Sequence, residues 1–283
     1  MFDKFFENCD KEEIEKRVKS IDNRGNTMLM HSIATSNVEI SRHLMEKGSD
    51  VNFFFLFHKK GTSVFKKKYV VKKVNFMLEG ETPLIRAILN NNSDMIELLL
   101  SHPKIDPNLY SKETGVMGKK MPPLHWMIVV TKNPFLVNLI CKKGADVEAS
   151  IDFGMRAIHL AVEVSSSEIV SCLLENGANI EAKMFENQHN LLGWGDTALH
   201  RAIELEEYEI SHFLVGKGAD INALNNYGRS TVMLASERDN FSIIKLLLDH
   251  KVTTLKVRAL NSLNALETCC SSKCYNYLLN YQN

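Results

Sequence analysis

The chain has 283 residues, 45% of them hydrophobic and 24% charged, values that suit a packed core and exclude wholesale disorder. Its 34 basic and 34 acidic residues cancel, so no global field draws it to nucleic acid or anionic lipid. The neutrality hides one asymmetry. Residues 53–78 hold Lys59, Lys60, Lys66, Lys67, Lys68, Lys72 and Lys73 with no acid, leaving −7 for the remainder.

The opening Met1-Phe2-Asp3-Lys4-Phe5 runs straight into charge and lacks the apolar core of a signal peptide. The longest uncharged apolar run, Phe53 to Phe57, falls far short of the ~20 residues of a membrane-spanning helix. Cys9, Cys141, Cys172, Cys269, Cys270 and Cys274 do not form a disulfide framework, and most fall in helical patterns where a free thiol acts as a small apolar group. The expected compartment is therefore reducing and cytosol-like, which includes a host cytoplasm if the source is viral or bacterial.

Equivalent positions recur at Thr27, Thr82, Pro122, Arg156, Thr197 and Ser230. The intervals of 55, 40, 34, 41 and 33 residues are a period of 33 with additions, the signature of a repeat architecture. At each anchor, Thr27, Thr82, Thr197 and Ser230 supply an oxygen to cap a first helix, and Pro83 and Pro123 suit its first turn. Leu29, Leu84, Leu124, Ile158, Leu199 and Val232 then face the core, and Ala87, Ala161, Ala202 and Ala235 allow close helix approach. A second helix follows with a heavier apolar stripe, such as Ile96-Glu97-Leu98-Leu99-Leu100. Gly48, Gly144, Gly177 and Gly218 end it where a left-handed backbone is favoured.

The clearest copy runs from Gly195-Asp196-Thr197-Ala198-Leu199-His200 to Gly218-Ala219-Asp220-Ile221-Asn222. Its period and its Thr-Pro-Leu-His-like helix starts resemble the ankyrin-repeat family over essentially the whole chain. The resemblance implies an all-α solenoid with β-hairpin fingers, some extended by insertions, in a single domain spanning 1–283. In chain order the expectation is an N-terminal half-repeat over 1–21, with Phe2, Phe5 and Phe6 inward. Six repeats follow at 22–52, 79–108, 109–148, 149–181, 182–222 and 223–253, with an inserted finger at 53–78 and a C-terminal cap at 254–283. It also implies that His125, His159 and His200 are buried rings bridging the backbones of adjacent units.

Three insertions fall where the family places its fingers, and long loops in compact domains are usually functional or disordered. The first alternates aromatic and lysine residues around a Gly61-containing turn and favours an extended hairpin. Phe55, Phe57, Lys66, Lys67, Lys68 and Tyr69 are its candidate contacts. Tyr110, Met117 and Lys119 belong to the second, around 109–121. The third, 182–194, carries Met184, Phe185, Leu191, Leu192 and Trp194, which either fold back or are covered by a partner. Trp194 is the leading anchor candidate, and Tyr227 in the next finger completes the partner-binding set. Asn52, Asn108 and Asn222 stand where some ankyrin-fold proteins are hydroxylated; the simpler reading is an asparagine suited to a turn.

Catalytic and metal motifs are absent from the sequence: no glycine-rich phosphate loop, no HExxH pair, and no paired CxxC around Cys269, Cys270 and Cys274. The expected protein is a non-enzymatic interaction module (an adaptor, inhibitor or decoy) without cofactor or small-molecule substrate, monomeric until it binds another protein. Two alternatives stand beside it. One is a ubiquitin-ligase substrate adaptor, faintly suggested by Leu263, Leu266, Cys269 and Tyr277-Leu278-Leu279; the other is membrane or nucleic-acid contact through 53–78.

Overall fold

The computed structural model describes residues 9–22, 26–53, 81–110, 121–184 and 195–282. Phe2, Phe5, Phe6 and the greater part of all three insertions lie outside the described residues. Helix α1 (Lys11–Lys19) precedes six pairs: α2 (Met28–Ala34) with α3 (Val38–Glu46), α4 (Pro83–Leu89) with α5 (Ser93–Ser101), α6 (Pro123–Thr131) with α7 (Pro134–Lys142), α8 (Ala157–Glu163) with α9 (Ser167–Glu175), α10 (Ala198–Glu204) with α11 (Tyr208–Gly216), and α12 (Thr231–Glu237) with α13 (Phe241–Asp249). A helix α14 (Ser272–Gln282) closes the described chain. Five of the six first helices have only seven residues and every second helix has nine. Isolated helices that short are marginal in water, so neighbours must hold them.

The chain divides into two compact units, Met1–Thr131 with Leu139–Ala145, and Lys132–Asn138 with Asp146–Asn283. Within the first, α2 packs on α3 and α4, α4 on α5 and α6, and α3 on α5. Within the second, α8 packs on α9 and α10, α10 on α11 and α12, α12 on α13, and α9, α11 and α13 follow one another. First helices therefore stack on first helices and second on second, the nearest-neighbour arrangement of a solenoid. The residues two beyond each anchor, Leu29, Leu84, Leu124, Ile158, Leu199 and Val232, are at most 1% exposed, and Ala87, Ala161, Ala202 and Ala235 are fully buried. Truncating a leucine such as Leu99 to alanine in such a core costs about 2–5 kcal/mol.

Hydrogen bonds at the helix starts follow the sequence logic and extend it. Thr27, Thr82, Thr197 and Ser230 each accept the backbone N–H three residues on, at 3.2–3.4 Å. The second helices have their own caps: Asn37, Asn92, Ser166 and Asn240 do the same at 2.9–3.2 Å. Each such cap contributes about 1 kcal/mol. The residue just before each of these caps (Ser36, Asn91, Ser165 and Asp239), and its counterparts Lys132 and Glu206, adopts a positive φ to turn the chain between paired helices.

Buried polar groups tie successive repeats. In the second unit the His159 Nδ1 accepts the Arg156 N–H at 3.1 Å, and its Nε2 donates to the Ala182 carbonyl at 3.0 Å. His200 repeats the pattern one unit on, from the Thr197 N–H at 3.3 Å to the Arg229 carbonyl at 3.3 Å. One nitrogen accepts and the other donates, so the ring is neutral. Burial pushes both imidazoles down to about 4. In the first unit Glu81 and Arg86 form a buried ion pair at 2.9 Å. Asp196, at the position equivalent to Glu81, is instead satisfied by the Asn225 Nδ2 at 2.8 Å, and burial raises its carboxyl above the usual range.

Two stability predictions follow from these contacts. Gly218 and Gly195 both have positive φ, +89 and +64, but a Cβ on Gly218 meets open space, whereas one on Gly195 would sit 2.3 Å from Asn226 Oδ1 and 2.9 Å from its backbone N. Gly218→Ala should therefore cost about 1–2 kcal/mol of backbone strain, and Gly195→Ala a further 1–3 kcal/mol or so, read from chemical-denaturation midpoints. The histidines set an acid limit. Between pH 6.5 and about 4 the unfolded chain binds protons that the buried rings refuse, so stability falls as pH falls through that window. Each ring contributes a slope of up to about 1.4 kcal/mol per pH unit. Replacing both with glutamine should lower stability at pH 7 and flatten the stability–pH curve; Asp196 acts with the opposite sign and is unchanged in that variant.

Candidate protein-interaction surface on the fingers

Each finger leaves a second helix, crosses over, and returns to the next anchor. Single antiparallel bridges close three of them: Ile21 with Thr27 in the first unit, Ser150 with Arg156 and Leu224 with Ser230 in the second. Where the third insertion lengthens the loop the closure persists: the Met184 N–H donates to the Asp196 carbonyl at 3.0 Å, and the Gly195 N–H to the Met184 carbonyl at 2.9 Å. The last finger is closed by the Ala259 N–H on the Leu263 carbonyl at 2.9 Å. Each of these described fingers is thus closed by one rung.

Cross-braces join neighbouring fingers of the second unit. Arg156, which stands where other repeats place a capping threonine, sends its Nε to the Glu148 carbonyl and its Nη1 to the Lys183 carbonyl, both at 3.2 Å. The Lys183 Nζ reaches the Leu224 carbonyl at 2.9 Å. The Leu260 N–H donates to the Tyr227 carbonyl at 2.8 Å, and the Asn225 Oδ1 accepts the N–H groups of Tyr227 and Arg229, each at 3.0 Å. These hydrogen bonds tie each of these finger bases to the next.

The finger exits form a second ladder. Asn52 accepts the Asp106 N–H at 2.8 Å and donates its Nδ2 to the Lys104 carbonyl at 2.6 Å; the Asn108 Nδ2 donates to the Gly144 carbonyl at 2.8 Å. In the second unit Glu148 accepts the Asn179 N–H, and Glu181 the Asp220 N–H, each at 2.8 Å, while Asn222 accepts the Thr253 N–H at 2.7 Å. All three candidate hydroxylation residues thus sit in inter-exit hydrogen bonds, a role that glutamate fills at the two successive exits Glu148 and Glu181.

The other sequence-derived candidates divide. Phe55, Phe57, Lys66, Lys67, Lys68, Tyr69, Met117, Lys119, Phe185 and Trp194 lie outside the described residues. Tyr110 and Tyr227 are half-buried. Met184 is buried at 7% exposure, so of the two fates open to the apolar residues of its loop, this one folds back. Sequence reasoning missed Phe153. It occupies the tip of the finger between Ile151 and Met155, in a 3-10 turn, is 55% exposed, and has a φ of +64°. A bulky residue rarely adopts that conformation, and the signal was an aromatic side chain set between the turn formers Asp152 and Gly154. Leu260, 68% exposed in the last finger, was missed for want of any local pattern.

Charge on the adjoining first helices is largely spent in pairs. Arg201 bridges Glu163 through its Nε at 3.0 Å and Glu204 through its Nη1 at 2.6 Å, and Arg229 pairs with Glu237. Among the described residues no group of three or more His, Cys, Asp or Glu side chains is arranged to hold a metal ion, and no helix is long and apolar enough to cross a membrane. Exposed apolar groups such as Phe153 and Leu260 are what the described part of this surface offers.

Comparison with known proteins agrees with the geometry. A family model for ankyrin repeats in three copies matches residues 124–225, and a single-repeat ankyrin model matches 79–109. The B-cell lymphoma 3 protein homolog of Mus musculus is 33% identical over 102 residues, which are 36% of this chain and 22% of the mouse protein. The crystal structure of the ankyrin repeat domain of Bcl-3, described as a unique member of the IkappaB protein family, superposes with a TM-score of 0.70 at 20% identity, covering 91% of this chain and all of that one. The human ASB11 ankyrin repeat domain gives 0.63 at 20% identity, over 91% and 99% of the two chains. The first-helix stacking, the histidine bridges and these matches have one common explanation: residues 79–109 and 124–225 are ankyrin repeats, and the fold is that of ankyrin repeat domains.

Proposed function

We propose that this chain is a non-enzymatic recognition module, acting as an adaptor, inhibitor or decoy, that grips one partner protein with its finger tips and the adjoining first helices. Ankyrin repeats and the likeness to Bcl-3 support protein–protein interaction as the activity. The observation that carries the finger-centred reading is Phe153: a large aromatic side chain kept half in water, in a strained backbone, on a finger tied to the next one through Arg156. Strain of that kind costs about 1–3 kcal/mol and persists where a function maintains it. Aromatic anchors supply most of the energy at protein interfaces.

In this reading the insertions extend the same surface. Trp194 and Phe185 add anchors from the third insertion, Tyr110 one from the second, and Tyr227 one from the finger before Ser230. Phe55, Phe57, Tyr69, Met117 and Lys119 widen the contact, and Lys66, Lys67 and Lys68 orient an acidic partner surface. Of the residues behind the ligase-adaptor alternative, Leu278 is fully buried as in a cap, while Leu263, Tyr277 and Leu279 are exposed, and that alternative stands beside this reading.

Affinity capture with the full chain tests the proposal. Phe153→Asn keeps a residue that tolerates the left-handed backbone and removes the ring. It should weaken partner binding tenfold or more, about 1.4 kcal/mol, without lowering the denaturation midpoint. Partners retained at full affinity by both Phe153→Asn and Trp194→Ala would overturn the finger-centred reading. Replacing Lys66, Lys67 and Lys68 with glutamine should slow association several-fold and leave dissociation unchanged, since exposed charge acts chiefly on the encounter; surface plasmon resonance at two salt concentrations separates the two rates.

A further inference from the structure

We propose that Cys269 and Cys274 form a reversible intramolecular disulfide when peroxide is the oxidant, making the junction between the last finger and α14 a thiol modification site. All six cysteines are free in the structure. The Sγ atoms of Cys269 and Cys274 nevertheless lie 3.0 Å apart. Nonbonded carbon atoms rest at about 3.5–4.0 Å and sulfur is larger, so the pair is already inside ordinary contact and about 1 Å from the S–S bond length. The approach is imposed by the surrounding fold. The Cys274 N–H donates to Ser271 Oγ at 3.1 Å in the first turn of α14, and the Ser271 hydroxyl donates to Asp239 Oδ1 at 2.9 Å. Cys274 is fully buried, and the Cys269 thiol lies 3.4 Å from the Ala265 carbonyl oxygen.

The two thiols are not equivalent, which fixes the order of events. Cys274 donates its S–H to the Cys269 sulfur. Burial raises both thiols above their usual range, but this hydrogen bond opposes the rise at Cys269 and adds to it at Cys274. Cys269 is also the half-buried member, the one a small oxidant can reach. Its sulfur attacks one oxygen of hydrogen peroxide, the O–O bond breaks, water leaves, and Cys269 is oxidised to the sulfenic acid. The Cys274 sulfur then attacks the sulfenic sulfur, the S–O bond breaks, and the departing hydroxide takes the Cys274 proton as a second water. Two thiols and one peroxide give one disulfide and two waters, the reversible rung of cysteine oxidation. A thiol reductant restores the starting state by exchange.

Cys270 is the competing outcome. It is exposed, and its thiol is turned away to the Glu237 carbonyl oxygen at 3.1 Å. The geometry therefore assigns the bond to Cys269 although Cys270 is the more accessible. Trypsin cleaves after Arg258 and Lys273, which places Cys269 and Cys270 on one peptide and Cys274 on the next. The folded full-length chain is treated with dilute hydrogen peroxide, alkylated, digested without reductant and analysed by mass spectrometry. The peptides 259–273 and 274–283 should appear linked, with two fewer free thiols per chain, and dithiothreitol should separate them. Cys270→Ser should form the link at the wild-type rate, and Cys269→Ser, a conservative change at a half-buried position, should lose it. A link that persists in Cys269→Ser, a link lost in Cys270→Ser, or oxidation that yields only Cys270-joined dimers would overturn the proposal.

Discussion

The second unit depends on a neutral imidazole held between two backbones. His159 and His200 each take an N–H from their own helix start and give one to the carbonyl of the following finger, at 3.0–3.3 Å. A seven-residue helix cannot stand by itself, and a finger has one rung of its own, so the ring supplies what neither has: a fixed distance between one repeat and the next. That role explains why both rings are wholly buried and why protonation is so strongly refused. A charged ring would lose its acceptor and carry an unpaired charge into the core.

From that distance the rest follows by translation. With successive first helices held in place, Arg156 can reach the Lys183 carbonyl and Lys183 the Leu224 carbonyl, so braces run between finger bases. Braced bases allow long additions beyond them, because an insertion outside the Met184 rung does not disturb the stack. On the proposed reading, stability and recognition are therefore carried by different residues. The framework lies in the anchors, histidines and exits; variation is tolerated past the rungs, where Phe153 and the third insertion are found.

Much of the framework was legible because it is periodic. The anchors at Thr27, Thr82, Thr197 and Ser230 cap their helices, the apolar residues two beyond are buried, and Gly48, Gly144, Gly177 and Gly218 turn with φ near +90°. What escaped the sequence is what breaks the period. Arg156 looked like a worn threonine, yet it clamps two carbonyls that belong to different segments. The caps of the second helices, Asn37, Asn92 and Asn240, lie in stretches whose periodic signal is the apolar stripe. Phe153 gave no periodic signal, since exposure and a positive φ at a finger tip are properties of the folded loop. Met184 shows the converse limit: composition alone left open whether an apolar loop residue folds back, and one backbone rung decides it.

The exit asparagines show how a framework role and a modification motif can share one residue. At Asn52 both the side-chain oxygen and nitrogen are engaged, with the Asp106 N–H and the Lys104 carbonyl. Glutamate at the equivalent Glu148 and Glu181 supplies only the acceptor half, and does so at the same 2.8 Å. An acceptor is shared by Asn52, Glu148, Glu181 and Asn222, and Asn52 and Asn108 donate where a carbonyl stands within reach. An enzyme acting on Asn52 would have to draw the side chain out of two hydrogen bonds, each worth about 1 kcal/mol net, and separate one exit from the next while doing so. The ladder accounts for asparagine at these positions without any modification. It also makes local opening of the exits, rather than surface exposure, the step that would control whether they are ever modified.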